Sequence, residues 1–201
     1  KLNILKELSK ANQISSKTKI INASINSKEI KQNDVFFAIK GKKKDGNLFV
    51  KEAFNNGASL AVVSNLKKDE KKIKTKDTLK FLTKASSLFR ENIPCKIIGI
   101  TGSCGKTSLK ELIGKTLNKI SKATYSPKSF NNKFGVPLSL FNLSQKDNYG
   151  VLEIGMDKKG EIDNLSKIIK PDVAVITNIS YAHIKNFKNI KQIALAKSEI
   201  I

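Results

Sequence analysis

The 201 residues contain one arginine, Arg90, one histidine, His183, and two cysteines, Cys95 and Cys104. Each shortage excludes something. Two cysteines nine positions apart, with no Cys or His partner at ligand spacing, exclude a disulfide framework and a zinc site and fit a reducing cytoplasm. No apolar run approaches the ~20 residues of a membrane span, and the charged N-terminus is not followed by a signal-peptide core. A soluble, cytoplasmic, monomeric protein without membrane insertion is therefore expected. Aromatic residues make up 6% of the chain, which weakens any case for stacking on nucleobases. The formal net charge of +21 looks at first like a nucleic-acid signature. The lack of arginine argues otherwise, because bidentate recognition of phosphates and guanine edges favours the guanidinium fork. Lys, Ile and Asn together fill about two-fifths of the chain, and all three have A/T-rich codons. A genome of low G+C content that enriches surface lysine explains the charge, and no nucleic-acid partner is expected.

The stretch Ile97-Ile-Gly-Ile-Thr-Gly-Ser-Cys-Gly-Lys-Thr-Ser108 carries the most chemistry. An apolar strand enters a glycine-bearing turn that ends in Lys-Thr and opens a helix, the sequence form of a phosphate-binding loop. Gly102 and Gly105 let backbone amides turn inward, so Gly102, Ser103, Cys104, Gly105, Lys106, Thr107 and Ser108 are the expected nucleotide-binding residues. Lys106 supplies a point charge to the β- and γ-phosphates, and the Thr107 hydroxyl completes the coordination of Mg²⁺. The strict Walker A pattern has a glycine where Ile100 stands. An ordinary strand-to-helix turn is the plain alternative, but both flanks fit the motif. Four of residues 96–101 are β-branched, and Leu109, Leu112, Ile113, Leu117 and Ile120 recur at helical spacing.

The chain is long enough to bury a core, as one large domain or two small ones. Up to about residue 75 it shows a strand at 34–39, a helix at 48–56 closed by Gly57, and a strand at 60–64. The lysine-rich stretch 67–76 reads as the boundary between a domain spanning 1–75 and another spanning 76–201. The second domain has a helix at 78–91, then strands at 96–101, 149–155 and 172–177 alternating with helices after Lys106 and at 161–169. This pattern predicts an α/β fold with a mostly parallel sheet and nucleotide at the carboxyl ends of its strands. The chain opens on Lys1 and stops at Ile201 inside an apparent helix, so it reads as a piece of something longer.

Three further residues stand out. Glu153 lies near the carboxyl end of an otherwise apolar strand, where a carboxylate is costly unless paired or metal-bound; an edge position facing solvent is the alternative. His183 follows Thr177-Asn178 beyond another strand end, although a lone histidine is commonly a surface residue. Lys197 reads by itself as a solvated helix lysine.

These motifs together resemble the Mur ligase family, the ATP-dependent enzymes that build the peptide stem of peptidoglycan, and most closely its MurF type. Thr101 to Thr107 is similar to the family's ATP loop and Glu153-Ile-Gly to its acidic magnesium motif. Phe130-Asn-Asn-Lys-Phe-Gly-Val-Pro137 resembles a segment that helps position the muramoyl substrate, which makes Asn131 and Asn132 substrate candidates. Thr177-Asn-Ile-Ser-Tyr-Ala-His183 and Ala196-Lys-Ser-Glu199 resemble later elements, in which the family uses a histidine and often a carbamylated lysine around a second Mg²⁺. By resemblance, then, Lys106, Glu153, His183 and Lys197 are the catalytic set, and Thr107, Glu153, His183 and Lys197 the metal set. In the first domain, Asn26-Ser-Lys28, Gln32 to Gly41 and Asp45-Gly46 resemble the region that holds the UDP end of the substrate, and Ser27 is its hydrogen-bonding candidate. The family's Asp-Ser-Arg is replaced by Asn26-Ser27-Lys28, its usual histidine by Asn47, and the loop's common asparagine by Cys104. The resemblance implies ligation of D-alanyl-D-alanine to UDP-N-acetylmuramoyl-tripeptide through an acyl phosphate, with ATP and Mg²⁺. It also implies a C-terminal domain that nothing in the chain matches, so this piece alone is expected to be inactive. A MurE-type amino-acid ligase, a P-loop ATPase acting on nucleic acid and a non-catalytic nucleotide-binding module are the rival readings.

Overall fold

The computed structural model describes residues 1–41, 44–181 and 186–201. Contacts divide the chain into two compact units, Lys1–Phe89 and Arg90–Ile201. The sequence put the boundary near residue 75, and two features move it. Lys72–Lys74 is a strand, because Ile73 between its two lysines is fully buried. The helix Thr78–Glu91 begins with Thr78 Oγ1 donating to Ala38 O at 3.1 Å, which ties its start to the first unit.

The first unit contains α1 (Leu2–Ser9), β1 (Ala23–Ser24), β2 (Asp34–Phe37), α2 (Val50–Asn55), β3 (Ala58–Val63), β4 (Lys72–Lys74) and all but the last two residues of α3 (Thr78–Glu91), with 3₁₀ turns at Ser27–Glu29 and Gly46–Phe49. Its four strands are parallel and lie in chain order, β1-β2-β3-β4. Val35, Phe36 and Phe37 are all buried, the continuous apolar run expected of a parallel strand covered on both faces. Phe36, Ala38, Ala61 and Val63 pack with Val50 and Ala53 of α2 in one core cluster. Gly57 ends α2 at φ 107°, with Gln32 Cα 3.0 Å from where a Cβ would sit. The sequence therefore located this helix terminus correctly.

The second unit contains β5 (Lys96–Thr101), α4 (Lys106–Ile120), β6 (Ala123–Tyr125), α5 (Gly135–Phe141), β7 (Tyr149–Glu153), α6 (Glu161–Ile169), β8 (Val173–Ile176) and α7 (Ile190–Ser198). Its parallel sheet has the order β6-β7-β5-β8. The expected α/β class with parallel sheets is what the chain adopts. Helix α5 absorbs the Gly-Val-Pro run, since Pro137 falls in its first turn, where a missing N–H breaks no helical bond. The single arginine closes this unit. Arg90 Nε donates to Ile169 O at 2.7 Å, Nη1 to Cys95 O at 3.2 Å, and Nη2 to Lys170 O at 3.0 Å and Asp172 Oδ2 at 2.8 Å. It caps the carbonyl end of α6 and pins the start of β5 to β8. Burial pushes the Asp172 carboxyl upward, but the Ile97 amide, Lys96 and Arg90 outweigh it and hold the group below the ordinary carboxylate range.

Candidate active site

The chain runs from β5 out to β6, returns to β7 and crosses to β8, so β5 lies where the strand order reverses. In open α/β sheets that reversal opens a crevice at the carboxyl ends of the strands. Residues 102–105 leave β5 at this point and lead into the 15-residue helix α4. Gly102 (φ 148°) and Gly105 (φ 78°) both lie where side chains are strained. At Gly102 there is also no room, since a Cβ would sit 1.8 Å from Thr177 Oγ1. Gly105 is the N-cap of α4 and offers no side-chain cap, so the first-turn amides of Lys106, Thr107 and Ser108 have no acceptor within the helix.

The loop is tied to the segment after β8. Ser103 N–H donates to Asn178 O at 3.0 Å and Cys104 N–H to Asn178 Oδ1 at 3.1 Å. Thr177 Oγ1 donates to Cys104 O at 2.6 Å, and Ser103 Oγ donates to Ser180 O at 3.0 Å. Two of the amides expected to face phosphate are therefore engaged by Asn178, and the amides of the α4 first turn are the better-placed donors. Lys106 Nζ folds back onto Gly102 O at 2.8 Å. Cys104 is exposed and Ser108 lies exposed on the first turn of α4.

Glu153, 1% exposed, is the last residue of β7, a central strand between β6 and β5, so the edge-strand alternative fails. Its Oε2 accepts from Thr107 Oγ1 at 2.8 Å and its Oε1 from Asn131 Nδ2 at 2.7 Å. Lys110 Nζ lies 3.8 Å from Oε2 and donates to Lys128 O. Lys197, 2% exposed, is not the solvated lysine its helix suggested. Burial first, and the charge of Lys106 second, lower its ammonium to about 8. Asn132 Oδ1 accepts from the amides of Phe134 and Gly135 and so caps the start of α5. Ser27, in the first unit, is buried with Oγ on Glu52 Oε2 at 2.5 Å. His183 lies outside the described residues.

Thr107 and Glu153 suit magnesium. Their oxygens are 2.8 Å apart, close to the ~2.9 Å edge of an octahedron with metal–oxygen distances of about 2.0–2.1 Å. Among the described residues no group of three or more His, Cys, Asp or Glu could hold a metal. A site of one carboxylate and one hydroxyl, completed by phosphate and water, is the usual manner of Mg²⁺ with nucleotides.

Sequence reasoning missed Lys110 and Asn178. In the apolar series along α4, Leu112 is 63% and Ile120 77% exposed, while Lys110 and Gly114 face inward. A Cβ on Gly114 would lie 2.3 Å from the Tyr125 ring. That mid-helix glycine was the available signal, because it marks the face pressed to the sheet, and Lys106 and Lys110 precede it at intervals of four.

Known proteins share the family and the fold of this chain. The family described as Mur ligase middle domain matches residues 100–201, and Mur ligase family, catalytic domain, matches residues 19–93. UDP-N-acetylmuramoyl-tripeptide–D-alanyl-D-alanine ligase of Rickettsia prowazekii is 36% identical over 191 residues, which is 94% of this chain and 42% of that protein. The Bacillus subtilis protein of the same name is 34% identical over 195 residues, 95% of this chain and 43% of its own length. The chain thus spans about two-fifths of these relatives. Crystal structures of MurF from Acinetobacter baumannii (TM-score 0.84, 34% identity, covering 98% of this chain and 45% of that one) and of MurF ligase from Thermotoga maritima in complex with ADP (0.76, 34%, 92% and 43%) share the fold. No described helix is long and apolar enough to cross a membrane. With its phosphate loop at the strand-order reversal and a family match through more than half its length, the chain belongs to the Mur ligase family.

Proposed function

We propose that the protein containing this chain joins D-alanyl-D-alanine to UDP-N-acetylmuramoyl-tripeptide at the expense of ATP. The observation that carries this reading is the contact of Thr107 with the buried Glu153 beside the phosphate loop, supported by the names of the relatives. The tripeptide's terminal carboxylate attacks the γ-phosphorus, forming an acyl phosphate and releasing ADP. The dipeptide amine then attacks the acyl carbon, forming the amide, releasing phosphate and losing a proton. Lys106 exchanges Gly102 O for phosphate oxygens, and the α4 first-turn amides orient the polyphosphate. Thr107 and Glu153 would hold one Mg²⁺, and Lys197, as a carbamate, with His183 would hold a second. When bound, Mg²⁺ offsets the charge that would repel the attacking carboxylate. Asn131 and Asn132 act on substrate by shaping the 130–137 segment, since their side chains are committed to Glu153 and to α5. Ser27 meets the UDP end by giving up Glu52.

The test is ATP affinity of this chain and of Glu153→Gln, with Mg²⁺ and with EDTA. A loss of tenfold or more confined to the Mg²⁺ condition is expected. Equal affinity for the variant and the native chain in Mg²⁺ would remove Glu153 from the metal site. Phosphate release by the full-length protein that requires both the tripeptide and D-alanyl-D-alanine checks the reaction itself.

A further inference from the structure

Lys110 has 0% exposure, and nothing in the phosphate-loop motif calls for it. Packing alone does not account for a lysine there, because methionine would fill similar space without desolvating a charge. Its ammonium has two partners, Glu153 Oε2 at 3.8 Å and the carbonyl of Lys128. Lys128 lies in the same loop as Asn131, whose amide donates to the other oxygen of Glu153 and whose own carbonyl accepts from Gly155 N–H at 2.7 Å. One cation therefore grips both the acid and the loop that orients it.

Lys110 and Glu153 form a neutral pair, with Lys106 extending from the same helix. A divalent cation arriving alone meets no net negative charge, whereas the polyphosphate of a nucleotide supplies it. We propose that Lys110 is a positioning residue that fixes Glu153 and keeps divalent metal off it until nucleotide is present. This rests on the reading of Glu153 as the magnesium acid.

Mn²⁺, whose free form is counted by electron paramagnetic resonance, is titrated into the native chain, Lys110→Met, Lys110→Arg and Glu153→Gln, each with and without ADP. The native chain and Lys110→Arg are expected to take up Mn²⁺ only with ADP. Lys110→Met should bind Mn²⁺ alone at least tenfold more tightly than the native chain. Lys110→Gln, which keeps a neutral donor near Glu153, carries this arm if Lys110→Met does not fold. Native binding of Mn²⁺ alone as tight as that of the neutral variant overturns the role of Lys110. If Glu153→Gln abolishes that binding, the reading of Glu153 itself survives. Uptake untouched by Glu153→Gln removes both.

Discussion

The first sheet runs β1-β2-β3-β4 in chain order, whereas the second runs β6-β7-β5-β8, and only the second has a strand from which the connections depart in both directions. The polar groups beyond the strand ends differ in the same sense. Beyond β2 and β3, Asn47 Nδ2 donates to Asp45 Oδ1 at 2.6 Å and to Ser64 Oγ at 2.9 Å. Its Oδ1 accepts from the amides of Ser64 and Asn65, and Asn65 Nδ2 reaches Asp45 Oδ2 at 3.2 Å. The cluster satisfies itself. Beyond β5 and β7, Lys110 faces the buried Glu153, Lys106 rests on the loop's own carbonyl, and the charge of Lys106 reaches the buried Lys197. One sheet end is finished as a structure, while the other carries an excess of positive charge that a polyphosphate would relieve.

The largest break in this comparison comes from Gly102→Ala. The new Cβ would meet Thr177 Oγ1 at 1.8 Å on a backbone with φ 148°, so Thr177 must move and its bond to Cys104 O is lost. Loss of more than about 3 kcal/mol from the second unit is expected, in line with strain at a special backbone position, a steric clash and a broken hydrogen bond. Urea unfolding measures that loss. A fluorescent ATP analogue should show affinity reduced by two orders of magnitude or more. Retention of native affinity would mean that the loop's tie to residues 177–180 has no part in binding.

Asn47→Ala tests the finished end. It leaves the amides of Ser64 and Asn65 without their side-chain acceptor, at a cost of about 2 kcal/mol. Hydrogen exchange at residues 60–65 should speed up while ATP affinity changes less than twofold. Asp45 provides a second readout. The side-chain and backbone bonds from Asn47 hold its carboxyl below the ordinary value, so the variant should raise it, as followed by NMR titration. An unmoved Asp45 would show that the cluster is not coupled as drawn.

How much of this was legible in the sequence depended on whether a side chain's partner was local. The β5–loop–α4 unit was readable because strand, glycines and helix are contiguous and each has its own periodicity. Glu153 was readable because an acid in an apolar strand conflicts with its surroundings. Strand β4 was not, since three residues with one buried isoleucine look the same as a lysine-rich linker. The inward face of α4 was not legible either, because hydrophobic spacing ranks Leu112 above Lys110, and the bond from Lys110 to Lys128 joins residues 18 apart. Arg90 was noticed only for its rarity; its four acceptors come from Cys95 and from Ile169, Lys170 and Asp172, some 80 positions away.

Lys197→Met gives the smallest expected effect and bears most directly on the contrast between the two ends. The native ammonium is lowered to about 8 from an ordinary 10.5, so the folded chain releases this proton more readily than the unfolded one. Between those values the unfolded state binds more protons, and stability from this residue rises with pH. Below about pH 8 both states hold the proton, and the folded state bears the full cost of a buried charge beside Lys106. A shift of this size converts to about 3 kcal/mol as an upper limit, and relaxation and water penetration around a buried amine reduce it to the order of 1 kcal/mol. Lys197→Met should therefore raise the unfolding free energy at pH 7 by about 1 kcal/mol and flatten its rise between pH 8 and 10.5. Urea melts at pH 7, 8.5 and 10, in buffers purged of CO₂ so that the amine stays unmodified, check both effects. A variant less stable than the native chain at pH 7 would mean that the lysine has a partner strong enough to offset its burial, and the second sheet end would then be as self-satisfied as the first.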